Sequence, residues 1–189
     1  MATFGVIASG ISGLLVGTLC AQNKFSSKFV LSVFDILQTF PSFVYLIPVM
    51  MLFGVTDTSV LIAVIIYATI PATRYTVEGL RSVPSALHDG VSMSGVTRIQ
   101  RLLKIEFPLA FPHIMLGLNQ TVVFALFMVI IGAFIGTEDL GQYIMKALSD
   151  LKGGGKGLIL GLCVAFIGLA VDNLIRTWAE RRKQLLGLS

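Results

Sequence analysis

The sequence predicts an all-α membrane protein: a single transmembrane domain over residues 1–189 with five membrane-crossing helices, the N-terminus outside and the C-terminus in the cytoplasm. Three observations predict it. First, the 189 residues are 55% hydrophobic and only 13% charged, with mean hydropathy +0.87; a soluble domain of this size needs more charge to stay dissolved. Second, several apolar runs approach the roughly 20 residues that cross a bilayer. Third, the basic residues divide unequally between the two sets of loops, so the net charge of +4 and pI near 9.3 read as positive-inside topology. No nucleic-acid partner is expected.

The first span covers about 3–21 and ends at the polar AQNKFSSK. It lacks the positive leader of a signal peptide, and its apolar run is longer than a typical signal core. The chain starts close to this helix, so an N-terminal portion upstream is an open expectation. The second span, about 31–54, holds Pro41 and Pro48 and is expected to be kinked or broken. The third covers about 59–79, with Pro71 near its far end; the fourth about 110–136; the fifth about 157–180. Between the last two lies an external segment, about 137–156, in which Ile144, Leu148 and Leu151 stand at helical spacing. That pattern suggests a short amphipathic helix at the interface, followed by a glycine turn at Gly153–Gly155.

Five spans put the termini on opposite sides. One side collects Lys24, Lys28, Arg74, Arg81, Arg98, Arg101, Lys104, Arg176, Arg181, Arg182 and Lys183; the other has only Lys146, Lys152 and Lys156. The first is therefore the cytoplasmic side, and it holds the polar loop at about 80–108. In that loop Pro84 suits a first helical turn, and Ser85, Ala86, Leu87, His88, Asp89, Gly90 and Val91 continue it. Gly95 offers a break. Thr97 and Gln100 have capping-box spacing, so a second helix is predicted from there. Pro108 is expected to stop it as the chain re-enters the membrane. Two short helices here would form a protrusion made to fit a groove. A membrane-surface helix touching anionic lipid explains the spacing equally well.

The same loop resembles the EAA motif of binding-protein-dependent ABC importer permeases, E-A-A, three residues, Gly, nine residues, I-x-L-P. Asp89-Gly90-Val91, Gly95 and Ile105-Glu106-Phe107-Pro108 keep every spacing, with Asp in place of Glu, Gly and Val in place of the two Ala, and Phe in place of Leu. The resemblance is nearest the glycine betaine/proline betaine (quaternary-amine) branch. It extends through FDILQTFPSFVYLIPVMMLFGV, IPATRYTVEGLRSVPSAL, FPLAFPHIMLGLNQTVVFALFMVIIGAFIG and DLGQYI. It implies the five-helix core of a type I ABC importer permease. It further implies two cytoplasmic ATPase subunits that hold ATP and magnesium, an external substrate-binding protein, and a second permease subunit, most simply another copy. The coupling helix would span about 84–93. The chain itself would bind no cofactor or metal and do no catalysis, in keeping with the lack of a G-x-x-x-x-G-K-[ST] run. The resemblance makes glycine betaine, proline betaine or a related quaternary-amine osmolyte the expected cargo, with choline, trimethylamine N-oxide and amino acids as alternatives.

Polar residues inside spans are candidates for the pathway. Gln38 precedes Pro41, where it would either line the pathway or satisfy backbone freed by the proline. Asn119 and Gln120 would either line it or bond between helices. Asp172 with Arg176, and Arg74 with Glu78, have i,i+4 ion-pair spacing. Phe40, Phe43, Tyr45, Tyr67, Phe124 and Phe127 could form a cage for a quaternary ammonium group, but aromatics in spans are more often packing residues. Gly10, Ser12, Gly13 and Gly17, with Gly157, Gly161 and Gly168, would permit close helix approach and a dimer. Cys20 and Cys163 have no metal or redox spacing and read as small buried residues. An ion-coupled secondary transporter would need midplane charges, whereas these cluster at span ends. A membrane enzyme would need a ligand or nucleophile set, and His88 and His113 have none beside them.

Overall fold

The computed structural model describes residues 2–84, 95–134, 146 and 154–185, and these are helical with no strand among them. Helix α1 is Ala2–Ala21, α2 Lys24–Thr39, α3 Phe43–Phe53 and α4 Asp57–Arg81. Helix α5 runs through residues 98–134, and α6 is Gly154–Leu185. Four of the helices are long and apolar enough to cross a membrane, and α2 with α3 makes a fifth crossing if that bent pair is one span. The external amphipathic segment predicted near 137–156 lies almost wholly outside the described residues.

Helix α4 is the centre of the bundle. α1 and α5 pack along it, α3 and α2 attach to it, and α6 leans on α5. Small residues set the α1–α4 distance. A methyl group placed on Gly13 would stand 2.3 Å from the Ala72 Cβ, and one on Gly17 would stand 2.7 Å from the Thr76 Cβ. Ser12 and Thr69 share a 2.7 Å hydrogen bond across the seam. Close backbone approach with small hydroxyls is how helices associate where lipid removes the hydrophobic drive. The small residues predicted for the last span behave differently: Gly161 has nothing near it, and Gly168 has only Leu126 at 3.8 Å. Apolar side chains of α3, α4 and α5 fill the upper core, where Leu46, Ala63, Val64, Ala68 and Met128 are fully or almost fully buried. Leu80 with Ala110, Ile114 and Met115 fills the lower one. Cys20 is half-buried and Cys163 exposed, so the expected burial of both is not found.

The second span breaks where Pro41 predicts, with a bend of 90° between α2 and α3. Proline cannot donate to the carbonyl four residues back, which here belongs to Leu37. The Tyr45 hydroxyl donates to that carbonyl instead, and so does the Phe40 N–H at 3.2 Å. The carbonyl freed by Pro41 is thus satisfied within the chain, as a low-dielectric environment requires.

Helix α5 begins as predicted and ends differently. Thr97 accepts from the Gln100 N–H at 3.3 Å, and the Gln100 carboxamide accepts from the Thr97 N–H at 3.1 Å, completing the capping box. Pro108 does not stop the helix. Residues Leu102–Glu106 form a π-turn, the Phe107 N–H bonds the Leu102 carbonyl, and the helix continues through Pro108 to Phe134. A widened turn directly before a proline shifts the hydrogen-bond ladder by one residue, so the missing N–H and the ring are accommodated. Arg101 and Glu106 span the turn with a 2.8 Å ion pair.

Candidate functional site: a polar cavity between α2, α4 and α5

Arg74 projects from α4 toward the broken span. Its Nη1 donates to Asp35 at 2.8 Å and to Gln38 at 3.3 Å, both on α2. Its Nε donates to Glu78, one turn further along α4, at 3.0 Å. Asp35 and Gln38 are three residues apart, hence on one face of α2, and the Pro41 break delivers that face to α4. The three charged side chains are between 37% and 54% exposed. Each pair is therefore worth about 0–1 kcal/mol in water, and the network acts mainly by holding α2 in place. Beside it opens a cavity of about 250 Å³, lined by Gln38, Pro71, Arg74, Tyr75, Glu78, Gln120 and Phe124. It presents cationic, anionic, amide and aromatic surface within one small volume.

The predicted pathway residues separate. Gln38 and Gln120 line this cavity. Pro41 supplies the bend above it. Asn119 does not face it: that residue is 2% exposed and its Nδ2 donates to Asp172 on α6. Asp172 also pairs with Arg176 at 2.9 Å. Interhelical bonding is thus the role the structure gives Asn119. Of the aromatics, Tyr67 stacks on Phe124 with centroids 4.9 Å apart, and Tyr45 meets Tyr67 at a 48° tilt with centroids 5.2 Å apart. They pack α3, α4 and α5 together, and of the three only Phe124 lines the cavity.

Of the EAA-like set, Ser85, Ala86, Leu87, His88, Asp89, Gly90 and Val91 lie outside the described residues. The flanks are visible. Gly95 has φ +69°, a left-handed conformation that favours glycine. Ile105 lies in the π-turn and Pro108 just beyond it, both half-buried. Among the described residues no group of His, Cys, Asp and Glu could hold a metal.

Sequence reasoning missed the reach of Arg74 across to α2. The signal was there: Asp35 and Gln38 on one helical face, Arg74 and Glu78 on another, and a proline between the two segments. It also missed Tyr45 as the group that satisfies the break.

The chain belongs to the family described as binding-protein-dependent transport system inner membrane component, which matches residues 13–184. Over 188 residues it is 77% identical to the trimethylamine N-oxide transport system permease protein TmoV of Pelagibacter ubique, covering 100% of this chain and 26% of that protein. It is 33% identical to the glycine betaine transport system permease protein OpuAB of Bacillus subtilis, covering 94% and 63% respectively. The chain thus spans about a quarter of the TmoV relative's length. Its fold matches a chain of the inward-facing MetNI methionine ABC transporter with a TM-score of 0.78 at 18% identity, covering 98% of this chain and 91% of that one.

Proposed function

We propose that this chain forms the membrane pathway of an ATP-driven importer for small methylated-amine zwitterions, with trimethylamine N-oxide the favoured cargo. The observation that carries this is the 77% identity to a permease named for that compound. Glycine betaine or proline betaine is the second reading, favoured by the likeness to OpuAB. These solutes share a compact cationic head and an anionic oxygen. The Arg74 cavity offers matching groups: amide donors from Gln38 and Gln120 for the oxygen, and the Phe124 ring and Glu78 carboxylate for the cationic head. Movement of α2 about Pro41 would open or close this cavity.

The energy would come from outside the chain. Two cytoplasmic ATPase subunits, with ATP and magnesium, would each receive one coupling helix at about 84–93. Closure of the ATPases would then move α4 and α5, which bracket that segment. An external binding protein would deliver the solute to a pair of permease chains, each with its N-terminus outside and C-terminus cytoplasmic. The chain itself is a transport subunit and carries no catalysis.

The test is reconstitution of the full permease with its ATPase and binding protein in proteoliposomes. Labelled trimethylamine N-oxide should accumulate only with ATP on the ATPase side. Joint Asp89→Lys and Gly90→Pro substitution should abolish uptake. Accumulation driven by an ion gradient without ATP, or unchanged by the loop variant, would overturn the proposal. Uptake of glycine betaine but not of the N-oxide would select the second reading.

A further inference from the structure

A second, larger cavity of about 860 Å³ lies at the basic end of the bundle, where the ends of α1 and α4 meet the start of α2 and the first turns of α5. Four cationic side chains line it, Lys24, Arg81, Arg98 and Arg101, against the single described carboxylate of Glu106. Arg101 is committed to Glu106 at 2.8 Å. Arg81 donates to the Ser27 hydroxyl, which is neutral. Among the described residues no carboxylate pairs with Lys24, Arg81 or Arg98. Cations from α2, α4 and α5 converging on one concavity repel each other unless an anion sits between them.

The surroundings select the kind of anion. The rest of the lining includes Leu80, Val83, Ile99 and Leu102. Ile99 in that lining is 69% exposed, and Phe25 and Leu103, each next in sequence to a lining residue, are 79% and 59% exposed. A freely soluble anion has no use for that surface; a phospholipid does. The cavity also sits at the ends of helices long and apolar enough to cross a membrane, and basic pockets between such helices recognise anionic lipids. Arginine forks suit phosphate oxygens.

We propose that this cavity is a site for the headgroup of an anionic phospholipid, its phosphodiester held by Lys24, Arg81 and Arg98 between α2, α4 and α5. The acyl chains run along Phe25 and Ile99. Val83 lines the same cavity one residue before Pro84, so the bound lipid ties together the two helices that anchor segment 85–94. The proposal needs only the cavity and a bilayer, and it stands or falls separately from ATPase docking.

The experiment is native mass spectrometry of the full permease with its co-purifying partners. The complex is released from detergent after exchange into equal amounts of phosphatidylglycerol and phosphatidylcholine. Phosphatidylglycerol should be retained preferentially. Arg98→Gln should weaken retention about fivefold, and adding Lys24→Gln about fivefold again. The charge-keeping Arg98→Lys should retain lipid, as should Arg182→Gln, which removes a cation stacked 5.8 Å from the Trp178 ring and outside the cavity. Equal retention of both lipids, or retention unchanged by Arg98→Gln, would overturn the site. Displacement of the lipid by millimolar inorganic phosphate would assign the cavity to a free anion instead and overturn it equally.

Discussion

Replacing Gly13 by alanine adds one methyl group at the tightest point of the α1–α4 seam. The new Cβ would lie 2.3 Å from the Ala72 Cβ, 3.0 Å from the Thr73 backbone nitrogen and 3.1 Å from the Thr69 carbonyl oxygen. Two of those three neighbours are backbone, so no rotamer change relieves the contact. Ordinary contact starts near 3.4 Å, so α1 must retreat by about 1 Å, a distance over which packed atoms lose a large part of their attraction. The retreat also stretches the 2.7 Å bond between Ser12 and Thr69. Overpacking of this kind costs about 1–3 kcal/mol. Gly10→Ala is the matched control, because its methyl would meet only the Leu118 Cδ2, the end of a flexible side chain, at 3.1 Å. Equilibrium unfolding of the purified permease in mixed micelles should show Gly13→Ala clearly less stable than the parent and Gly10→Ala close to it. Equal stability of the two variants would refute the reasoning that backbone contact sets the seam.

Other residues give equally direct tests. Tyr45→Phe keeps the ring contact but removes the hydroxyl from the Leu37 carbonyl, which retains the Phe40 N–H, so it should destabilise by about 0.5–1.5 kcal/mol and widen the distance distribution between spin labels on α2 and α3. Asn119→Leu removes the donor to Asp172 and should cost about 1 kcal/mol in micelle unfolding, with uptake retained because Asn119 is not on the cavity. Arg74→Gln frees the α2 face that carries Asp35 and Gln38; uptake should fall while unfolding stability changes by less than about 1 kcal/mol.

Local signals in the sequence are legible because their physics is local. Thr97 and Gln100 satisfy each other's backbone within one turn, so their spacing suffices to place a helix start. The break falls at Pro41, which cannot serve the Leu37 carbonyl, whereas Pro48, Pro71 and Pro112 lie inside helices that continue past them. Pro108 defeated the same logic. A wide turn at Leu102–Glu106 offers the chain a way past the proline, and nothing in the side-chain pattern announces a π-turn. Pairings across helices were legible only in part. Arg74 with Glu78 follows from spacing, but Arg74 with Asp35 and Asn119 with Asp172 join residues dozens of positions apart. The candidate site divides in the same manner: Gln38 and Gln120 stand out as polar residues inside apolar runs and meet at one cavity. Asn119, polar in the same apolar run, is turned toward α6 instead. Helix α6 shows a further limit, since apolar residues such as Leu158, Phe166, Leu169 and Leu174 are exposed on it, and an apolar stripe does not say what it faces.

The central claim is that the segment ending at Gly95 meets a nucleotide-driven partner on the inner face of the membrane. The direct measurement replaces Gly90 by cysteine after Cys20 and Cys163 are changed to serine, then probes intact cells and inverted vesicles with a membrane-impermeant thiol reagent. The account predicts labelling in inverted vesicles only, and its suppression when the ATPase subunit is bound. Labelling of intact cells would place the loop on the outer face and contradict the account.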